Sequence, residues 1–185
     1  MHQALARHRR RVAPVAFATV LFASGLGLMA NSPAQSIGGL CNGQPASHSW
    51  LDASGQPGPS LFDGTDGDDT IVGSDGDDYI DAGPGDDFLC GGPGDDSLDG
   101  GDGDDVVIGG TGDDGPSGGP GEDTLVGGSG DDDPEGGPGH DFIVGGEGDD
   151  WIKSSDDDEV DKVSAGDGFD ICFFSAGDEL ANCEY

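Results

Sequence analysis

Apolar residues follow two different patterns along the chain. Arg7, Arg9, Arg10 and Arg11 precede a continuous apolar run, VAPVAFATVLFASGLGLMA, from Val12 to Ala30, and the small residues Ser32 and Ala34 follow it. From Gly64 onward the large apolar residues become solitary, one recurring every nine positions in a background of Gly and Asp. A strict period of this length is the signature of a repeat architecture, in which each unit buries its apolar residue against its neighbours.

The first pattern has the plan of a secretory signal peptide: basic, then apolar, then small-x-small. It predicts a signal peptide over residues 1–34 with cleavage after Ala34. A retained anchor is the alternative, because the run approaches the length that spans a bilayer. Pro14, Gly25 and Gly27 weaken a long anchor helix, and no membrane insertion is expected once the segment is removed. Arg9 and Arg10 form an arginine pair, but the Arg11, Val12 and Ala13 that follow match the twin-arginine route poorly, so the general export route is expected.

The second pattern consists of ten tandem units without an insertion: GTDGDDTIV, GSDGDDYID, AGPGDDFLC, GGPGDDSLD, GGDGDDVVI, GGTGDDGPS, GGPGEDTLV, GGSGDDDPE, GGPGHDFIV and GGEGDDWIK, over residues 64–153. The fourth position is always Gly. The sixth is always Asp: Asp69, Asp78, Asp87, Asp96, Asp105, Asp114, Asp123, Asp132, Asp141 and Asp150. The eighth is aliphatic (Ile71, Ile80, Leu89, Leu98, Val107, Leu125, Ile143, Ile152) except at Pro116 and Pro134. A Gly/Asp-rich low-complexity coil has no reason to hold such a phase.

Charge changes the picture further. The chain has 185 residues and a formal net charge of −33, with 39 acidic residues against 6 Lys and Arg. Removal of the signal peptide leaves Lys153 and Lys162 alone against every acid. Such a polyanion repels nucleic acid and anionic membrane surfaces, so neither is expected as a partner and metal cations are the natural counter-charge. Glycine at positions one, two and four lets carbonyl oxygens converge where a Cβ would clash. Hard Ca²⁺ takes six to eight oxygen ligands, which mixed carbonyl and carboxylate turns supply.

These units resemble the RTX, or hemolysin-type, calcium-binding nonapeptide GGxGxDxUx, with U a large aliphatic residue. The resemblance implies an all-β fold, a parallel β-roll or β-solenoid, in which the first six residues of each unit turn and the last three form a short strand. Successive turns then lie on alternate edges, and each unit stacks on the next but one. It also implies that the ten position-six aspartates named above are the carboxylate ligands of several Ca²⁺ ions, each held between stacked turns. At position five, Asp in eight units but Glu122 and His140 in the others, the side chain is expected to be mainly solvated while its backbone carbonyl binds. A few aliphatic residues cannot offset the entropy of ordering so many glycines against such repulsion, so the metal-free chain is expected to be unfolded.

Residues 35–63 are expected to form an irregular entry segment, with Trp50, Leu51, Leu61 and Phe62 covering the first coil. Residues 154–185 are expected to be a degenerate repeat, AGDGFDICF with Asp170 at the aspartate position, followed by a C-terminal cap closed by Phe173, Phe174 and a disulfide. Four cysteines in an exported chain favour disulfides over zinc, for which no CxxC pair is present. Of three possible pairings, Cys41 with Cys90 and Cys172 with Cys183 are expected. Tyr79, Phe88, Phe142 and Trp151 at position seven are placed on the outer face of the roll.

An enzyme is not expected. There is no HExxH and no GxSxG, and beyond the signal peptide the only histidines are His48 and His140. Carboxylate pairs recur in nearly every unit without a second feature to single one out. The expected function is calcium binding by a secreted β-roll with a structural, adhesive or cell-surface role. The competing readings are a disordered acidic polyanion that buffers or templates divalent cations, and a secreted hydrolase.

Overall fold

The structure, a computed structural model, describes residues 61–154 and 160–184. The expected signal peptide, and the part of the entry segment that holds Cys41, Trp50 and Leu51, lie outside the described residues. Among these residues every regular element is a strand: β1 (Leu61–Asp63), β2 (Thr70–Val72), β3 (Tyr79–Asp81), β4 (Phe88–Pro93), β5 (Ser97–Asp99), β6 (Val106–Thr111), β7 (Gly115–Ser117), β8 (Thr124–Ser129), β9 (Phe142–Glu147), β10 (Trp151–Lys153), β11 (Lys162–Asp167), β12 (Ile171–Phe173) and β13 (Glu179–Ala181). All pair in parallel.

The architecture is the expected parallel β-roll. One sheet runs β13-β11-β9-β8-β6-β4-β2. The other runs β1-β3-β5-β7 and resumes as β10-β12, the two parts joined through bridges from Ser117 to Glu135 to Lys153. Consecutive units alternate between sheets because a turn of six residues reverses the chain after each three-residue strand. Within the repeats every strand pairs with the strand two units along, as in Leu89 beside Val107 and Val107 beside Leu125. With side chains alternating across a strand, only the eighth residue of each unit points inward, and the seventh and ninth face out. The interior is therefore two facing columns of single residues. Ile71, Leu89, Val107, Leu125, Ile143 and Val163 form one, and Phe62, Ile80, Leu98 and Ile152 belong to the other, all buried.

Pro116 and Pro134 stand in the second column and are buried there. Proline has no N–H, so each removes one donor from the ladder. Residues 133–135 carry one proline and stack on the row that carries the other, and they keep only two isolated bridges, both at Glu135. The row 115–117 remains a strand, β7, because Gly115 N–H still donates to Asp96 O at 2.8 Å on its intact side. Hydrogen bonds at the flanking positions carry the chain across the gap, with Asp133 N–H to Asp114 O at 2.8 Å and Glu135 N–H to Pro116 O at 2.9 Å.

Coils continue past Lys153. β11 pairs with β9 over Lys162–Asp167, placing Val163 beside Ile143, although the circuit between them is two residues longer than a pair of nonapeptides. β13 then stacks on β11, with Leu180 beside Val163. At the other end Phe62 is a core residue in register with Ile80, whereas Leu61, expected to cover the first coil, is exposed. Phe173 and Phe174 also remain well exposed, and the residues that pack on the far end of the core are Cys172, Leu180 and Cys183. Phe173 is the ninth residue of its unit, so the alternation that turns Cys172 inward turns Phe173 out. The Cys172–Cys183 disulfide is formed as expected. Cys90 is buried in β4, and its expected pairing with Cys41 lies outside the described residues. Tyr79, Phe142 and Trp151 lie on the outer faces, about half exposed, and Phe88 is partly buried. Trp151 stacks on Phe173 with ring centroids 5.5 Å apart.

Candidate metal centre

The turns place the sixth residue of every unit at the edge of the roll with its side chain turned inward, and all ten position-six aspartates are buried. Asp69, Asp87, Asp105, Asp123 and Asp141 line one edge. Asp78, Asp96, Asp114, Asp132 and Asp150 line the other. Within each row the N–H of one aspartate donates to Oδ1 of the aspartate in the next coil, at 2.6–3.0 Å. Asp161 and Asp170 extend the two rows by a further coil, at 2.9 and 3.0 Å.

The second carboxylate oxygen is in a different position. Oδ2 of Asp87, Asp96, Asp105, Asp114, Asp123, Asp132, Asp150 and Asp170 is buried with no hydrogen-bond partner. A buried, unpaired carboxylate oxygen is costly, and a whole row of them needs a counter-charge. Stacked at the parallel-strand spacing of about 4.8 Å, neighbouring charges repel by about 3 kcal/mol at an effective dielectric constant near 20. Burial therefore pushes the carboxyls of Asp96, Asp105 and Asp150 up to about 6, those of Asp123 and Asp132 to about 7 and that of Asp114 to about 8. The N–H bond from the preceding coil pulls each back down, and carboxylates of neighbouring coils add to the rise.

From the fourth unit onward, the first glycine leaves a cradle around that oxygen. A Cβ on Gly91 would meet both Asp96 Oδ2 and the carbonyl oxygen of Gly109 in the next coil. Gly100 stands in the same relation to Asp105 and Gly118, and Gly127 to Asp132 and Gly145. Each cradle thus brings together a carboxylate oxygen and a main-chain carbonyl from adjacent coils, a hard all-oxygen donor set suited to Ca²⁺. Among the described residues, no three His, Cys, Asp or Glu side chains converge on one point. A site drawn half from main-chain carbonyls has no need of such a cluster. The fourth glycine serves a different end: Gly103 has φ +145°, and a Cβ there would strike the Gly85 carbonyl of the coil before it.

Two of the ten aspartates are handled differently. Thr65 N–H and Oγ donate to Asp69 Oδ2, and Ser74 N–H and Oγ donate to Asp78 Oδ2. Position five was expected to offer a backbone carbonyl and a mainly solvated side chain, and its side chains are exposed, but they also build a ladder of their own. Oδ1 of Asp68, Asp77, Asp86, Asp95, Asp104, Asp113, Asp131 and Asp149 accepts the N–H of the equivalent residue one coil later, at 2.8–3.2 Å. His140 holds this place in its own unit, with Nδ1 3.2 Å from both N and O of Val160.

Asp161, which extends one row, went unread in the sequence because the glycines around it are lost. Its signal was an Asp two residues before an aliphatic, Val163, within an eleven-residue unit.

A family model described as the RTX calcium-binding nonapeptide repeat matches in four copies, over residues 63–98, 91–115, 117–133 and 135–172. No curated protein and no solved structure matches the chain. The matched residues make up more than half of the sequence and coincide with the coils whose aspartates line the two edges, and the chain accordingly belongs to the family of RTX calcium-binding nonapeptide repeat proteins.

Proposed function

We propose that this protein is an exported, calcium-dependent β-roll that folds as it binds Ca²⁺ and serves a structural, adhesive or cell-surface role. The observation that carries the reading is the double row of buried Oδ2 atoms without hydrogen-bond partners, those of Asp96, Asp105, Asp114, Asp123, Asp132 and Asp150 beside a main-chain carbonyl of the next coil. Asp87, Asp96, Asp105, Asp114, Asp123, Asp132, Asp141 and Asp150 hold the ions together with the carbonyls of the first-position glycines. Asp69 and Asp78, satisfied by Thr65 and Ser74, close the rows at their starts. Calcium removes repulsion along both edges, so its binding free energy becomes folding free energy. The basic-apolar-small plan of residues 1–34 supports export, and the even number of cysteines is in keeping with an oxidising compartment.

The test is a calcium titration of the oxidised chain followed by circular dichroism and calorimetry. β-structure is expected to appear cooperatively at roughly 0.1–1 mM Ca²⁺, the range of extracellular modules. Magnesium is expected to act poorly because it sheds its water reluctantly. A spectrum that calcium leaves coil-like favours the disordered polyanion and overturns the proposal.

A further inference from the structure

The two rows of aspartates end in different ways. On the edge that contains Asp141 and Asp161, the last carboxylate is Asp178, and both of its oxygens are engaged. Oδ1 accepts Asp161 N–H at 3.2 Å, and Oδ2 accepts Ser175 N–H at 2.7 Å and the Ser154 hydroxyl at 3.2 Å. On the edge that contains Asp150, the last aspartate is Asp170. It is completely buried, its Oδ1 accepts Asp150 N–H at 3.0 Å, and its Oδ2 has no hydrogen-bond partner.

A second carboxylate stands beside it. Asp170 N–H donates to Glu184 Oε2 at 2.9 Å, and Glu184 N–H donates back to Asp170 O at 2.9 Å. Glu184 therefore takes the place that the next coil's aspartate holds elsewhere in the row, although it lies outside the residues matched by the family model. The Glu184 carboxylate, held on the main-chain N–H of Asp170, sets a second negative charge beside a buried carboxylate with a bare oxygen, and the two repel unless a cation lies between them. In this turn, as at Ala82 in the third unit, an alanine, Ala165, replaces the first-position glycine and is fully buried. Its methyl group narrows the cradle that a glycine leaves open, so an ion here depends on the extra oxygens of Glu184. The neighbouring residue, Cys183, is tied to Cys172 of β12, which fixes the tail against the coil that carries Asp170.

We infer that Asp170 and Glu184 form a separate calcium site at the end of the array, closed by the Cys172–Cys183 disulfide. It rests on the calcium reading above but uses a glutamate from outside the repeats. With a narrowed cradle and an exposed second ligand, this site is the weakest of its row, the last to fill and the first to empty. The disulfide supplies what a stacked coil supplies elsewhere, by holding the second carboxylate in place before the ion arrives.

The test counts Ca²⁺ bound to the full oxidised chain by equilibrium dialysis, with circular dichroism to follow the fold. Glu184→Gln is expected to bind one ion fewer per chain while the cooperative transition of the other sites remains. Glu179→Gln, which removes the same charge from the same tail, is expected to keep the full count. The double variant Cys172→Ser, Cys183→Ser is expected to lose the same single ion, and adding Glu184→Gln to it to cause no further loss. An unchanged count in Glu184→Gln overturns the site, and an unchanged count in the double serine variant overturns its closure by the disulfide. A wild-type chain that binds no calcium overturns the calcium reading itself, so the failures are distinguishable.

Discussion

The main-chain N–H and the hydroxyl of Thr65 both donate to Oδ2 of Asp69, at 2.7 and 2.9 Å. Ser74 treats Asp78 in the same way, with its hydroxyl 3.1 Å from Oδ2. Thr65 and Ser74 are the only residues among the ten units that replace glycine at position two. In later coils a Cβ at that position would strike a carbonyl of the preceding coil, as Gly110 would strike Gly92 O. Hydroxyls thus satisfy, at the first repeat turn of each edge, the carboxylate oxygen that later coils leave bare. The double variant Thr65→Gly, Ser74→Gly is expected to lose about 2 kcal/mol of stability in saturating calcium, about 1 kcal/mol for each lost hydroxyl bond. Urea unfolding at fixed calcium measures it, and an unchanged midpoint would show that the hydroxyls are dispensable.

Without calcium, acid is expected to fold this protein. Burial raises the carboxyls of Asp96, Asp105, Asp114, Asp123, Asp132 and Asp150 to between about 6 and about 8, so the roll binds more protons than the unfolded chain in that range. For groups raised in the folded state, the associated stability is fully present below the unfolded value near 3.9 and is lost as pH rises through the folded values. In chelator, β-structure should grow as pH falls from 8 toward 4.5, while the calcium needed at pH 6 should exceed that needed at pH 8 because protons compete for the same oxygens. Circular dichroism across pH, with and without calcium, reads both. Loss of β-structure on acidification would contradict the burial of these carboxylates.

The gap at residues 133–135 is expected to be the softest point of its sheet. Amide exchange in calcium should be faster there than in β6, β8 or β9 of the facing sheet. Pro134→Leu restores one ladder donor and should raise stability by about 1 kcal/mol, with Pro116→Leu adding a similar amount. Slower exchange at Asp133 and Glu135 in Pro134→Leu is the accompanying sign. If exchange there stays as fast as before, the missing donor is not what opens the row.

Two glycine-to-alanine changes should have opposite effects. Gly103→Ala places a methyl group against the Gly85 carbonyl at φ +145° and should lose about 1–3 kcal/mol, raising the calcium required for folding. Gly115→Ala, in β7, meets nothing closer than Asp96 O at 4.0 Å and should gain about 0.4–1 kcal/mol. Thermal melts at one calcium concentration compare the two, and equal effects would mean that the stacking contact at Gly103 is relaxed in solution.

Strict periodicity made much of this fold legible in advance. An aliphatic residue at the eighth position of eight units and an Asp at the sixth position of all ten leave one consistent register, and the buried columns and both carboxylate rows follow it. What escaped the reading depends on tolerance. The 154–164 coil lacks glycines and is two residues longer, yet β11 pairs with β9 because Asp161 and Val163 still supply the edge carboxylate and the core residue. Phe62 is the eighth residue of a similar unit, GQPGPSLFD, whose glycines sit at the first and fourth positions and whose sixth residue is Ser60. The position-five ladder was hidden for another reason: an exposed aspartate in a turn reads as solvated whether or not it also accepts a hydrogen bond from the coil stacked on it.

The two ladders run in opposite senses. A position-six carboxylate accepts from the coil before it, as Asp105 does from Asp87, whereas a position-five carboxylate accepts from the coil after it, as Asp86 does from Asp104. An interior coil is therefore complete only when flanked on both sides, and damage to one coil is felt by both neighbours. The natural unit of addition or deletion is then a pair of nonapeptides, a full circuit that returns the chain to the same edge. Removing a single nonapeptide would send every later strand to the opposite sheet and exchange the partners of both ladders at once. Lineages of such proteins should therefore lengthen and shorten in whole circuits.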